Sequence, residues 1–209
     1  MFSAWTKFTS GTSGTAALVT TSPAPLEGVS SLRLRDDGLA PGNAKVGMAL
    51  TSGANVATGE IRSLVHPGAD NTDLGLFCMM QGSISTTSQA YWVVPVFGSA
   101  EIAIRKCDIA GINGTNNNLA NNASIGFTLT NNADYGLQLK WQQDADSGFM
   151  LLSASIGQAS DFSDLVKVVE FTVVVSPFVA GVSAGVGLRG TTQGFARSAF
   201  FDKTRIRRG

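Results

Sequence analysis

Charge is scarce in this chain of 209 residues: 14% are Asp, Glu, Lys or Arg, against about 25% in an ordinary soluble domain. Fifteen basic and fifteen acidic residues cancel, so no global field draws nucleic acid or an anionic membrane. Cysteine is nearly missing as well. Cys78 and Cys107, with the lone His66, cannot complete four zinc ligands, and in a protein made in the cytoplasm they read as buried thiols rather than a disulfide. No apolar run approaches the ~18 residues of a membrane-spanning helix; the longest, around Val173-Val174-Val175, stops at Ser176-Pro177. The start, Met1-Phe2-Ser3-Ala4-Trp5-Thr6-Lys7, shows no basic stretch leading into an apolar one, so no signal peptide is expected. Helical periodicity is also lacking.

What is present is apolar and β-prone. Hydrophobic residues make up 44%, with twelve Phe and three Trp, which excludes disorder on composition. A domain of this length buries roughly 70% of its unfolded surface and needs no staple. Short alternating or β-branched runs recur between Gly, Asn, Asp and Pro. Strands are expected over 15–21, 30–35, 45–51, 59–66, 73–80, 90–97, 101–109, 124–130, 135–142, 148–156 and 166–175. In the second, Leu32 and Leu34 face one way and Arg33 and Arg35 the other, the mark of a half-buried strand. Asp73 to Met80 is nearly all apolar, as in a central strand covered on both faces. Gly98-Ser99-Ala100 reads as a hairpin turn, and Pro95 predicts an irregular or bulged strand. The Asn-rich stretch 111–122 reads as a loop, and 160–165 as one short helical turn. A closing strand pair is expected in Val186-Gly187-Leu188 and Ser198 to Arg207. With no linker, charge block or repeat, 1–209 reads as one domain; residues 1–13 either join it or form an extended arm towards a neighbour. The fold class is all-β: an antiparallel two-sheet β-sandwich of jelly-roll type with little or no helix.

Four segments in order resemble the concanavalin A-like lectin/glucanase superfamily, in particular its laminin-G-like branch. They are Glu27-Gly28-Val29-Ser30-Ser31-Leu32-Arg33-Leu34; Asp73-Leu74-Gly75-Leu76-Phe77; Ala90-Tyr91-Trp92-Val93-Val94 with Ala100 to Arg105; and Val186-Gly187-Leu188 with Ala199 to Ile206. Each reports strand packing rather than chemistry. The resemblance implies glycosidases carrying two carboxylates ~5 Å apart on one strand, and lyases carrying a Gln-x-His strand. Neither pattern is here. Glu27, Glu60, Glu101 and Glu170 are solitary; Asp36-Asp37, Asp144 with Asp146 and Asp161 with Asp164 lie in turns; His66 sits in Val65-His66-Pro67. The expectation is a non-catalytic member with no cofactor and no metal, although Asp70, Asn71 and Asp73 supply oxygens of the type calcium takes.

The resemblance also implies glycan binding, through an aromatic residue and polar loop groups. The candidates are Trp92, Arg105, Asn116, Asn117, Asn118 and Trp141. Low charge, heavy Gly/Ser/Thr/Asn content and the missing active site favour a structural virion component of a tailed bacteriophage. Such a protein would assemble with copies of itself and other virion proteins. The alternative is a lectin-like module that recognises cell-surface glycan. Nucleic-acid partners and membrane insertion are not expected. The arginines of Arg205-Ile206-Arg207-Arg208 read as solubilising charges on an edge strand.

Overall fold

The computed structural model describes residues 5–10, 14–19, 31–36, 45–51, 57–68, 73–112, 117–178, 181, 183–189 and 197–208. They form fourteen strands in two antiparallel seven-stranded sheets, with one 3-10 turn at Ile109–Gly111. No helix among them is long and apolar enough to cross a membrane.

The first sheet contains β1 (Thr6–Ser10), β4 (Lys45–Thr51), β6 (Asp73–Met80), β7 (Ala90–Val96), β8 (Glu101–Cys107), β9 (Asn118–Asn122) and β13 (Ser183–Arg189), in spatial order β1-β4-β13-β6-β7-β8-β9. The second contains β2 (Gly14–Val19), β3 (Ser31–Asp36), β5 (Thr58–Pro67), β10 (Tyr135–Gln143), β11 (Met150–Gly157), β12 (Val166–Val173) and β14 (Arg197–Arg208), in order β12-β11-β10-β5-β14-β3-β2. Alternation decides what goes inside. Leu32, Leu34, Ile61, Val65, Leu137, Leu139 and Phe201 of the second sheet meet Val46, Leu74, Leu76, Val93, Ile104 and Val186 of the first in one core. Where edge strands β9 and β12 come together, the Asn122 amide donates to the Val168 carbonyl at 3.0 Å.

A second apolar layer covers the outer face of the first sheet. A cross-strand row of glycines, Gly47, Gly187 and Gly75, leaves room for aromatic rings to lie flat. A Cβ on Gly187 would fall 2.8 Å from Trp92 Cη2, and one on Gly75 3.3 Å from Trp92 Cε3. Phe8 covers Gly47, and Phe8, Phe77 and Trp92 pack ring on ring, at 5.9 and 4.8 Å between centroids. Gly75 also admits a close backbone, since a Cβ there would fall 2.5 Å from the Val93 carbonyl oxygen. This layer also explains why β6, which is central in its sheet, is apolar on both faces.

Several expectations change. Thr6–Ser10, inside the proposed arm, is a strand paired to β4. β9 runs through the expected Asn-rich loop, because edge pairing with β8 needs few apolar side chains. Residues 124–130 form no strand: Gly126 sits at φ 93°, and the backbone bonds of Ile125 and Leu129 go to the turn at 98–100. Residues 160–165 make tight turns instead of a helical one, with Phe162 at φ 65°. Pro95 keeps continuous register with Ile102; it lies past Val93, where pairing with β6 ends, and so interrupts nothing. The closing segments do not pair with each other. β13 lies between β4 and β6, and β14 between β5 and β3, in opposite sheets.

Candidate functional site

The structure splits the six residues expected to bind glycan. Trp92, Arg105, Asn117 and Asn118 do come together, beside the 3-10 turn on the outer face of the first sheet, but in structural roles. Trp92 is fully buried and its indole N–H donates to the Cys107 carbonyl at 3.0 Å. Arg105, opposite it in register, is 3% exposed and donates from Nε to Asn118 Oδ1 at 2.8 Å. Burial lowers its pKa from the ordinary value, and the nearby acidic groups Cys107, Asp73 and Glu101 partly offset this. Asn117 donates to the Gly111 carbonyl. No ring face is open there. Asn116 lies outside the described residues, as do Asp70 and Asn71. Their expected companion Asp73 is a charge neighbour of Arg105. Among the described residues no cluster of three His, Cys, Asp or Glu is suited to a metal.

Trp141 stands alone on the second sheet, 3% exposed and facing inward with its ring against Gly59, while its strand position borders an open groove on the other face. That groove, of about 350 Å³, lies on the outer face of β5, β10, β11 and β14; Thr58, Glu60, Lys140, Gln142, Ser153 and Arg207 line it with Gly59, Trp141 and Leu151. A second hollow of about 450 Å³ continues it past the shared Gln142 and Leu151 to Asp144, Ser147, Phe149 and Thr172.

Register arranges this face in rows. One runs Arg207, Glu60, Lys140, Ser153, Glu170; the next runs Arg205, Arg62, Gln138, Ser155, Lys167. A bulge between Asp202 and Arg205 inserts one extra residue into β14, with Lys203 at φ 49°. It reverses the strand's alternation, turning Arg205 and Arg207 outward while Ile206 packs against the core. Asp202 holds the bend: its carboxylate accepts from the Lys203 amide at 2.7 Å and from the Ser31 hydroxyl at 3.3 Å.

Glu60 is the hub of the groove. Gln138 Nε2 donates to it at 3.2 Å, and Arg207 Nε and Lys140 Nζ lie 3.6 and 3.9 Å away. The two cations are more than half exposed, so these pairs hold geometry more than they add stability. Two loops bound the face. Residues 158–165 fold over Gly136 and Gly157, placing the Phe162 ring 4.9 Å under the Arg62 guanidinium. At the other end Asp144 accepts from the Ser147 amide and hydroxyl, both at 2.7 Å, which lowers its pKa.

As chemistry, the lining offers charged and polar donors and acceptors on one open face. Glu60 is the single carboxylate lining the first hollow among the described residues. Glu170 in its row is three strands away, roughly 14 Å at ~4.8 Å per strand, whereas paired glycosidase carboxyls stand ~5–9.5 Å apart. Reading the sequence missed Glu60, Lys140, Gln142, Ser153 and Arg207. Their one signal was a polar residue at every second position, which any solvated sheet face shows.

No protein-family model and no curated protein sequence matches the chain. Solved structures do. A Bacillus subtilis protein of unknown function with a galectin-like fold is similar at TM-score 0.60 and 11% identity, over 99% of this chain and 90% of that one. The exoplasmic/lumenal domain of VIP36, in a Ca2+/Man-bound form, is similar at TM-score 0.59 and 10% identity, over 99% and 90%. The carbohydrate binding module CBM66 from Bacillus subtilis gives TM-score 0.52 and 11% identity, over 98% and 96%, and the alginate lyase Aly36B gives 0.56 and 10%, over 93% and 86%. Likeness at such identities speaks for architecture: the chain shares the two-sheet, galectin-like β-sandwich fold of these structures.

Proposed function

We propose that this protein is a non-enzymatic carbohydrate-binding module that holds its ligand in the groove on the outer face of the second sheet. The carrying observation is the lining itself. Glu60, Gln142 and Ser153 offer hydroxyl-binding donors and acceptors beside Lys140 and Arg207, around a floor that is open to solvent. Sugar recognition needs such a concave patch with a few fixed polar groups. The named similar structures support it, because a mannose-bound domain and a carbohydrate binding module share the architecture. The isolated Glu60 supports a role without catalysis.

A glycan array probed with the labelled protein tests this. Binding to at least one glycan class is expected, weakened about tenfold or more by Lys140→Ala with Gln142→Ala, the cost of a charged hydrogen bond or two. Trp92→Ala, by contrast, should lower the melting temperature, since emptying a buried Trp site costs ~3–5 kcal/mol. A blank array, with and without calcium, overturns the proposal.

A further inference from the structure

The groove's charge points to a ligand class. The molecule as a whole is neutral, with fifteen charges of each sign. Yet the two adjoining rows carry five cations, Arg62, Lys140, Lys167, Arg205 and Arg207, against the carboxylates of Glu60 and Glu170. These two rows thus hold a surplus of three positive charges, with Lys167 held by Glu170 at 2.7 Å and Asp144 standing in the hollow that continues the groove. Arg207 and Lys140 flank Glu60 from alternate strands whose backbones lie about 10 Å apart, with their charged atoms 3.6 and 3.9 Å from its carboxylate. Arg62, stacked on Phe162, is pre-organised to present its guanidinium, the side chain best matched to a carboxylate or sulfate.

We infer that the groove takes an acidic polysaccharide, one bearing carboxylates or sulfates at intervals, with Lys140 and Arg207 of its lining and Arg62 of the adjoining row engaging the acidic groups. This rests on the carbohydrate reading above and narrows it. Spaced cations suit repeated acids along a polymer better than one compact anion. Glu60 lies between the cations and accepts hydroxyl hydrogens; the same carboxylate repels a phosphate backbone, which carries charge at every unit and offers few hydroxyls. Aromatic platforms for stacking bases are likewise sparse: Trp141, at the groove's border, turns its ring into the core.

Affinity electrophoresis of the intact protein tests the inference, with matched polysaccharides in the gel: polygalacturonate against its fully methyl-esterified form, and dextran sulfate against dextran. The acidic member of a pair should retard the protein at least about tenfold more, with the effect fading between about 50 and 200 mM salt as surface charges are screened. Lys140→Glu with Arg207→Glu should abolish retardation, while Lys7→Glu, exposed on the other sheet, leaves it unchanged. Both altered groove side chains are more than half exposed, and an unchanged melting temperature confirms folding. Equal retardation by acidic and neutral members overturns this inference and leaves the carbohydrate reading standing. No retardation by any polysaccharide overturns both. Duplex DNA binding as strongly as polygalacturonate, or full binding by the double variant, overturns the assignment of this groove to acidic glycan.

Discussion

Tyr91 and Cys107 keep their protons far into the alkaline range, because burial penalises their charged forms and pushes each up to about 12. In the unfolded chain they ionise near 10.0 and 9.0. Above pH ~9 the unfolded chain therefore holds fewer protons than the folded one. Stability from these groups is complete below that point and is lost as pH rises towards 12. Urea midpoints measured at stepped pH should fall through that window, and a flat profile would contradict the burial of both groups. Tyr91 also accepts a 2.8 Å hydrogen bond from the Phe178 amide, so Tyr91→Phe should cost about 1 kcal/mol at neutral pH. Cys78 is likewise buried as a free thiol, its pKa raised by burial. A thiol-specific disulfide reagent should react slowly with the native protein and with two thiols after unfolding.

At the level of elements, the glycine row and the β14 bulge carry the most testable geometry. Gly187→Ala places a methyl group against Trp92 and Ile109. Overpacking of this kind costs about 1–3 kcal/mol, read as a melting-temperature loss of roughly 2–4 °C per kcal/mol in a domain of this size. Deleting Lys203 should be tolerated better: it removes the extra residue, so Asp202, Thr204 and Arg205 pair in continuous register with Leu64, Ser63 and Arg62, Arg205 and Arg207 stay outward and Ile206 stays inward. A cooperative melt is the expected result, and its loss would show the register to be wrong. These elements also show what the sequence could reveal. Leu32 and Leu34 alternating with Arg33 and Arg35, or the apolar Asp73–Met80 run, announce strands because burial leaves a period in the residues. β1 and β9 do not, being edge strands with half their hydrogen bonds and little core. The bulge was invisible because one extra residue has no composition of its own. The groove was illegible for a related reason: Glu60, Lys140 and Arg207 stand 67 or more positions apart between neighbours in the chain and meet only through register.

Across the whole molecule, sequence-distant pairing dominates. β4 pairs with β13 and β5 with β14, so nearly the full chain must be present before either sheet closes. Long loops must be ordered before such contacts reward folding. Refolding followed by stopped-flow tryptophan fluorescence should be slow, on the order of milliseconds to seconds or longer; a microsecond phase accounting for the full amplitude would contradict this. The expectation of a virion component came from low charge and Gly/Ser/Thr/Asn content, and neither the groove nor the similar structures named above adds to it. The local basic run at the end of β14 has a second meaning in the fold. Arg205 and Arg207 lie past Phe201, where pairing with β3 ends, so among the described residues they pair with β5 alone, and Arg207 also lines the groove.

The placement of the indoles has an optical consequence. Trp92 is sealed beneath the outer layer of the first sheet, while Trp141 borders the groove on the second. Emission from the former is a steady background that tracks only unfolding. The latter lies in the core directly behind the groove, so a ligand that shifts the sheet is read without any label as a change in its emission, and Trp141→Phe would remove that signal.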